Sequence, residues 1–174
     1  DSSWTLLHET EEEAFRSQID SLGTDTTLLV DTYDIRTGVE TAIRVAGTGL
    51  GGVRIDSGDL PIVAAEVRAQ LDELGATGTR ITVTSDLDEY AIAALAASPV
   101  DAYGVGTSVV TGSGYPTASM VYKLVARQDP SGAWIGVAKA STDKASHGGR
   151  KAAFRTLVDL SLIHISEPTR QEAI

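Results

Sequence analysis

Four short apolar segments in this chain each end in a cluster of acids, hydroxyls or glycines. The segments are Thr27–Val30, Gly52–Ile55, Arg80–Val83 and Ala102–Tyr103, and the polar clusters begin at residues 31, 56, 84 and 104. The first three segments have the length of a buried strand, the fourth lies within a longer apolar stretch, and amphipathic stretches of helical length separate them. This alternation predicts β–α–β units and a parallel sheet, which carries its chemistry at the carboxyl ends of its strands.

Capping and breaking residues set the bounds of the predicted elements. Thr10 with Glu13 forms a capping box, Gly23 ends a helix, and Asp59 with Pro61 opens another. The predicted helices are Thr10–Leu22, Thr37–Ala46, Leu60–Leu74 and Asp88–Ala97, the last capped by Asp86. The predicted strands are Thr26–Asp31, Gly52–Asp56, Arg80–Thr84 and Val100–Val105, then an antiparallel pair, Ser119–Arg127 and Trp134–Ala140. A polar loop is predicted from Lys139 to Lys151.

The predicted fold class is α/β: an incomplete TIM-like parallel α/β barrel with a short antiparallel element at its C-terminal end. Residues 1–114 are predicted to form the partial barrel, and residues 115–159 the C-terminal strands and a basic loop. Residues 160–174 continue neither periodicity and resemble the in-frame translation of a sequencing-library adapter, as do Asp1 and Ser2. We therefore expect this tail to be an artefact.

Composition excludes several classes of function. The 174-residue chain has a net charge of −10 and no cysteine. The negative charge disfavours binding to nucleic acid or to an anionic membrane. The lack of cysteine removes thiolate catalysis, disulfides and cysteine-bound zinc. No apolar run reaches the roughly 20 residues that span a bilayer. Any binding of phosphate must therefore be local, through backbone amides, a few Arg and Lys side chains, or a metal.

Four acids follow the predicted strands: Asp31, Asp34, Asp56 and Asp86. Converging carboxylates can hold Mg²⁺ through water, bind sugar hydroxyls or stabilise a developing oxocarbenium cation. Each acid could instead cap the helix that follows it. Capping alone is an adequate account of any one acid, whereas the group of four favours a site.

Arg54 lies inside an apolar strand, two residues before Asp56 and therefore on the same face. A buried guanidinium is costly unless it is paired. The pairing could be internal, with Asp56, or it could be with a phosphate or carboxylate of a ligand, and we favour the ligand.

Two further segments offer positive or hydrogen-bonding groups to a phosphate. Gly104-Val105-Gly106-Thr107-Ser108 follows the last predicted parallel strand, where barrels often bind phosphate with backbone amides. The loop bearing Lys139, Lys144, Arg150 and Lys151 is either a solvated loop or a flap over phosphates. The residues alone thus indicate a barrel-like domain that binds a phosphorylated small molecule with Mg²⁺, without naming the reaction.

Five ordered motifs, read together, resemble a known family. They are Leu-Leu-Val-Asp-Thr-Tyr-Asp at 28–34, Val-Arg-Ile-Asp-Ser-Gly-Asp-Leu at 53–60, Ser-Asp-Leu-Asp-Glu at 85–89, Tyr-Gly-Val-Gly-Thr-Ser at 103–108 and Met-Val-Tyr-Lys-Leu-Val at 120–125. In this order they resemble the C-terminal half of nicotinate phosphoribosyltransferase in its actinobacterial-like form, a type II phosphoribosyltransferase. The resemblance runs from Trp4 to Arg155.

The resemblance implies a reaction in NAD biosynthesis. Nicotinate and phosphoribosyl pyrophosphate give nicotinate mononucleotide and pyrophosphate, with Mg²⁺ as cofactor and ATP as co-substrate through a phosphohistidine. It also implies a homodimer that acts on small molecules. The lack of cysteine fits a cytoplasmic location, and the net charge of −10 argues against a nucleic acid or membrane partner.

The resemblance also assigns roles to residues. Asp31, Arg54, Asp56 and Asp86 would form the catalytic group, with Arg54 near the nicotinate ring and Asp56 holding Mg²⁺ through water. The residues implied to bind substrate or phosphate are Ser57, Gly58, Ser85, Gly104, Gly106 and Thr107.

Two positions depart from the family pattern. Ser2 occupies the position of the phosphorylated histidine, and Ser85 stands where many members have glycine, a change we expect to be tolerated. The family's N-terminal domain is also missing, so we expect this chain to be inactive by itself. Two alternatives stay open: another type II phosphoribosyltransferase that uses nicotinamide or quinolinate, and a non-catalytic module that binds a phosphoribosyl ligand.

Overall fold

The computed structural model describes residues 2–112, 117–118, 120–140 and 146–153. Within these residues the helices are α1 (Ser2–Leu7), α2 (Glu11–Leu22), α3 (Ile35–Ala46), α4 (Leu60–Glu73), α5 (Glu89–Ala94) and α6 (Thr107–Thr111). The strands are β1 (Thr27–Leu29), β2 (Gly52–Ile55), β3 (Arg80–Val83), β4 (Ala102–Tyr103), β5 (Ala126–Gln128) and β6 (Trp134–Gly136). Helices and strands alternate from α2 to α6, so the predicted β–α–β order is confirmed.

Strands β1 to β4 form one parallel sheet in chain order, β1-β2-β3-β4. The register aligns Leu29 with Arg54 and Arg54 with Thr82. Because side chains alternate along a strand, aligned residues of neighbouring strands share a face. Leu29, Arg54 and Thr82 therefore lie on one face, and Leu28, Val53 and Ile81 lie on the other.

The second face carries the hydrophobic core. Its strand residues are fully buried and pack with apolar residues of α2, α3 and α4 in one cluster. The main contributors are Phe15, Leu28, Val30, Val39, Val53, Ile55, Val67, Leu71, Ile81 and Val83. Burial of a side chain of this size is worth roughly 1.5–3 kcal/mol, so this face supplies most of the stability of the sheet.

Side-chain caps determine where the helices begin. Thr10 accepts a hydrogen bond from the Glu13 N–H and caps α2, as predicted. Asp59 caps α4 in the predicted place. Helix α3 begins at Ile35, two residues earlier than predicted, because Asp34 caps it. The prediction that Asp86 caps α5 was wrong, because the cap is Asp88, whose side chain accepts from the Ala91 N–H.

Several predicted lengths were also wrong. Helix α5 ends at Ala94 rather than Ala97, and β4 has two residues rather than six. The antiparallel pair β5–β6 is confirmed, with three residues in each strand. Helices α1 and α6 were not predicted, because each is only five or six residues long and has no strong apolar period.

The described residues fall into two compact units. The first contains residues up to Lys123 together with Lys139, Ala140 and Ser146, and the second contains Leu124–Ala138 and residues 147–153. In the second unit, β5 and β6 flank a turn closed by Asp129, and the Arg150 guanidinium lies 5.5 Å from the Trp134 ring centroid. The predicted division at residue 114 and the predicted tail at 160–174 fall outside the described residues and stay predictions.

Within the described part of the chain, none of the helices has the length and apolar character needed to cross a lipid bilayer.

Gly38 permits the close approach of α3 to the end of β1. A Cβ at this position would overlap the carbonyl oxygen of Val30. We predict that Gly38→Ala lowers the free energy of unfolding by about 2 kcal/mol, because the clash with main chain exceeds the gain of about 1 kcal/mol in helix propensity. Urea denaturation measures the change. Gly49→Ala is the matched control, since a Cβ there meets no atom within 4 Å, and an equal effect of both changes would contradict the prediction.

Candidate active site

The carboxyl ends of β1, β2 and β3 meet at one edge of the parallel sheet, where polar side chains contact one another. Asp31 follows β1, Asp56 and Ser57 follow β2, and Thr84 follows β3. Lys139 joins them from a distant part of the chain. We refer to these five residues as the Asp31 cluster.

Asp31 is the centre of this cluster. Its side chain is buried, with the residue 2% exposed. Its Oδ2 accepts hydrogen bonds from the Asp56 N–H at 3.0 Å, the Ser57 hydroxyl at 2.6 Å and the Lys139 ammonium at 2.9 Å. A buried carboxylate is tolerated when a cation and further donors compensate it. One oxygen therefore joins the end of β1 to the turn after β2 and to Lys139.

Asp56 extends the chain of contacts to β3. Its Oδ1 accepts a short hydrogen bond from the Thr84 hydroxyl, and the Thr84 N–H donates to the Ile55 carbonyl oxygen at 2.9 Å. The three strand ends are thus linked in series, which holds the two carboxylates of Asp31 and Asp56 in fixed positions. Two fixed negative groups at a sheet edge can stabilise positive charge that develops in a ligand.

Arg54 lies on the same face as Asp56 and is half-buried. Its Nε is buried and lacks a hydrogen-bond partner among the described residues, and none of the ion pairs found there involves its guanidinium. Among the described residues, Arg54 therefore does not form the internal ion pair with Asp56 that the sequence had left open. A guanidinium with an unsatisfied buried donor is suited to a carboxylate or phosphate supplied from elsewhere.

Asp34 does not join the cluster. It is exposed, and its Oδ1 accepts from the backbone N–H and hydroxyl of Thr37 at 2.8 and 2.7 Å. These hydrogen bonds, led by the backbone one, hold the pKa of Asp34 below its ordinary value. For this acid the capping interpretation is right.

Ser85 and Asp86 adopt unusual backbone conformations directly after Thr84. Their φ angles are +110° and +42°, and both residues are exposed. The value at Ser85 belongs to a region that favours glycine, which gives a physical reason for the family glycine noted at this position. Strained backbone of this kind concentrates at functional sites.

The predicted glycines serve different purposes. Gly58 has a φ of +87°, which the turn after β2 requires. Gly104 has no room for a Cβ because the Thr84 methyl group occupies that space, so the glycine lets β4 approach β3 closely. Gly106 and Thr107 are exposed at the start of the five-residue helix α6. The hydrogen bonds described for the Asp31 cluster include none to these four residues.

Glu11 is a residue that the sequence interpretation missed. It is the first residue of α2, and its Oε1 is buried without a hydrogen-bond partner in the described ranges. Burial raises the pKa of Glu11 to about 7, and the negative charges of Asp31 and Asp34 add to the rise. A glutamate in the first turn of a helix gives no sequence signal for this role, because the burial comes from tertiary packing.

The basic loop contributes one residue to the cluster. Besides the Lys139 ammonium, the backbone N–H of Ala140 donates to the Thr32 carbonyl oxygen at 2.8 Å, so this segment is attached to the end of β1 at two points. Lys144 lies outside the described residues. Arg150 and Lys151 belong to the second unit.

The geometry of this edge can now be compared with known proteins. A nicotinate phosphoribosyltransferase of Mycobacterium tuberculosis, pncB1, is 55% identical over 161 residues, which is 88% of this chain. A nicotinate phosphoribosyltransferase from Bacillus subtilis is 40% identical over 76% of this chain, and a human nicotinate phosphoribosyltransferase is 38% identical over 74% of it. The chain is homologous to part of nicotinate phosphoribosyltransferase. It spans only 35%, 29% and 26% of these three relatives, about a third of their length or less.

Solved structures support the same fold. A nicotinate phosphoribosyltransferase from Porphyromonas gingivalis matches 86% of this chain and 43% of its own, with a TM-score of 0.71 at 22% identity. A nicotinate-nucleotide pyrophosphorylase from Pyrococcus furiosus matches 84% of this chain and 42% of its own, with a TM-score of 0.57 at 23% identity. No family model matches the chain.

The strain at Ser85 generates a stability prediction. Ser85→Gly should raise the free energy of unfolding by about 1 kcal/mol, because relief of a strained φ exceeds the entropy that glycine adds to the unfolded chain. Urea denaturation measures the effect. Ser98→Gly, at a position without a positive φ, should lower stability by about 0.5–1 kcal/mol. Equal losses for both variants would contradict the assignment of strain.

The burial of Glu11 generates a pH prediction. Folded Glu11 keeps its proton up to about pH 7, whereas the unfolded chain loses it near the ordinary value of 4.5. This contribution to stability is therefore complete below pH 4.5 and is lost as the pH rises through 7.

Urea denaturation at pH 5, 6, 7 and 8 tests this dependence. The stability of the wild type relative to Glu11→Gln should fall from pH 5 to pH 7 and level off by pH 8. The control is Glu13→Gln, an exposed change in the same turn of α2, which should differ from wild type by a constant amount. A constant difference for Glu11→Gln would show that Glu11 ionises normally.

Proposed function

We propose that the protein to which this chain belongs is a nicotinate phosphoribosyltransferase, which joins nicotinate to the ribose of phosphoribosyl pyrophosphate in NAD biosynthesis. The observation that carries the proposal is the set of strand-end contacts among Asp31, Asp56 and Thr84, with Arg54, which forms no ion pair among the described residues, on the same face. The 55% identity to a relative of that name supports it.

The proposed reaction creates positive charge at the sugar. The ring nitrogen of nicotinate forms a bond to C1′ of the ribose while the bond from C1′ to pyrophosphate breaks, and the sugar passes through an oxocarbenium-like state. Asp31 and Asp56, held in place by their hydrogen bonds, would stabilise that charge without reorganisation. Asp86 would contact the sugar from the end of β3, beside Ser85.

The anionic groups of the substrates require donors. We assign Arg54 to the nicotinate carboxylate or the phosphate, because its guanidinium can bind either in a bidentate manner. Backbone amides at Gly104, Gly106 and Thr107 would bind the 5′-phosphate, and Ser57 and Gly58 would shape the turn between Asp56 and α4. Lys139 adds positive charge at the same edge.

The donor set fits a Mg²⁺ ion only in company with substrate. The described residues include no group of three or more acids and histidines placed to hold a metal by themselves. Mg²⁺ commonly binds through one or two carboxylates, water and substrate phosphates, and Asp56 suits that mode through water. When bound, the ion would neutralise charge on the departing pyrophosphate.

Homology to these enzymes supports the remaining parts of the proposal. The four parallel strands in chain order would be a segment of a TIM-like barrel, the order that a barrel requires. ATP would be a co-substrate, the intact protein a cytoplasmic homodimer, and this chain inactive by itself.

A chimaeric enzyme tests the proposed function. Residues 4–153 of this chain would replace the matching segment of the M. tuberculosis relative, and product formation from nicotinate and phosphoribosyl pyrophosphate would be measured. We expect an active chimaera in which Asp56→Asn lowers kcat/KM roughly a hundredfold or more, because a fixed charge at the sugar is lost. Asp59→Asn is the matched control: asparagine caps a helix as well as aspartate does, so activity should be unchanged.

The same assay separates the alternatives. A folded chimaera that uses nicotinamide or quinolinate in preference to nicotinate would favour another type II phosphoribosyltransferase. A folded chimaera that binds phosphoribosyl pyrophosphate with Mg²⁺ but makes no product would favour a non-catalytic binding module.

A further inference from the structure

Residues 23–26 connect the end of α2 to the start of β1, and this short connection together with a side-chain contact indicates that the two elements run in opposite directions. The Gln18 side-chain amide donates to the Thr27 carbonyl oxygen and to the Thr26 hydroxyl, both at 3.0 Å, which places the middle of α2 beside the start of β1. From Gln18 back to Glu11 the helix covers about 10 Å. From Thr27 to Asp31 the strand covers about 13 Å. Glu11 and Asp31 thus lie at similar distances from the Gln18–Thr27 contact, and the carboxylate of Asp31 is close enough to contribute to the raised pKa of Glu11.

Two buried carboxyl oxygens in this region lack hydrogen bonds. They are Oε1 of Glu11 and Oδ1 of Asp31, neither of which has a donor within the described part of the chain. Ionised carboxylates only accept hydrogen bonds, so neither of the two can satisfy the other. When one carboxyl is protonated, its O–H can donate a hydrogen bond to the other carboxyl, and both groups then have a hydrogen-bond partner. Asp31 is the worse candidate for that proton, because its Oδ2 already accepts three donors, including the Lys139 cation.

We propose that Glu11 is a positioning residue of this site, whose protonated carboxyl donates a hydrogen bond to Oδ1 of Asp31. With it, Asp31 would accept four donors, from α2, from the turn after β2 and from the Lys139 segment. Glu11 contacts no substrate in this scheme and acts by holding Asp31, and through it Asp56 and Ser57. Only the catalytic use of Asp31 rests on the proposed function; the hydrogen bond from Glu11 does not depend on it.

The charged groups around Glu11 have opposing effects on the pKa of its carboxyl. The positive end of the α2 dipole, the Lys139 ammonium beyond Asp31 and the Arg44 guanidinium bound to neighbouring Glu12 all favour the carboxylate. Burial and the charges of Asp31 and Asp34 oppose it and dominate, so the pKa is raised to about 7. The hydrogen bond to Asp31 should therefore weaken as the pH rises past neutrality.

Carbon-13 NMR of the side-chain carboxyl groups tests the proposal on the complete 174-residue chain. We expect the Glu11 carboxyl carbon to titrate with a midpoint near pH 7, and the Asp31 carboxyl carbon to shift in the same step. A Glu11 midpoint near its ordinary value of 4.5, or an Asp31 signal that does not change between pH 6 and 8, would overturn the proposal. The wild-type measurement requires no variant to fold.

Variants extend the test. In Glu11→Gln the amide donates at every pH, so the Asp31 signal should lose its step near pH 7. In Glu13→Gln, on the exposed side of the same turn, the step should remain. Loss of the step in both variants would show a general effect of α2 and would overturn a specific hydrogen bond. Because no substrate is present, this result is independent of the chimaera assay, and either proposal can fail without the other.

Discussion

The buried charge of Asp31 is the constraint on which this end of the molecule depends. A carboxylate that is 2% exposed cannot rely on water, so the chain must supply its partners. Those partners come from the turn after β2 and from Lys139, 108 residues away in the sequence. Removing one partner of a buried ion pair costs about 3–5 kcal/mol in other proteins. The same contacts that satisfy the charge therefore also bring the distant segments together.

Because side chains alternate along each strand, one face of the parallel sheet packs in the hydrophobic core and the other face carries polar side chains. Leu28, Val53 and Ile81 face the helices and build the core, whereas Leu29, Arg54 and Thr82 occupy the opposite face. A strand can thus contribute to folding with one residue and present a cation or hydroxyl with the next. The incompletely satisfied Arg54 is tolerated because the core on the other face provides stability that does not depend on it.

At the end of β3, closely packed side chains are followed directly by a strained backbone. Thr84 binds Asp56 with its hydroxyl and fills the space beside Gly104 with its methyl group, so one small side chain fixes both a carboxylate and the approach of β4. The next residue, Ser85, has a φ of +110°. In this part of the molecule the backbone takes an unfavourable conformation so that the strand ends can lie close together.

Local chemistry in the sequence was enough to predict the alternating elements, the parallel sheet and the positions of Asp31 and Asp56 at its edge. It also identified the caps Thr10 and Asp59, because capping depends on residues three positions apart. Sequence motifs were enough to indicate the family. Short elements such as α1 and α6 escaped prediction, since five or six residues carry too little periodicity.

Only the tertiary structure decided which polar residues meet. It separated Asp34, a helix cap, from Asp31, a buried centre of hydrogen bonds, although the two acids lie three residues apart in one motif. It also placed Lys139, which the sequence marked only as part of a basic loop, beside Asp31, and it buried Glu11, which no sequence pattern marks. The reason is physical: a hydrogen bond between neighbouring residues is set by local spacing, whereas burial, ion pairing and a raised pKa arise from segments that only folding brings together.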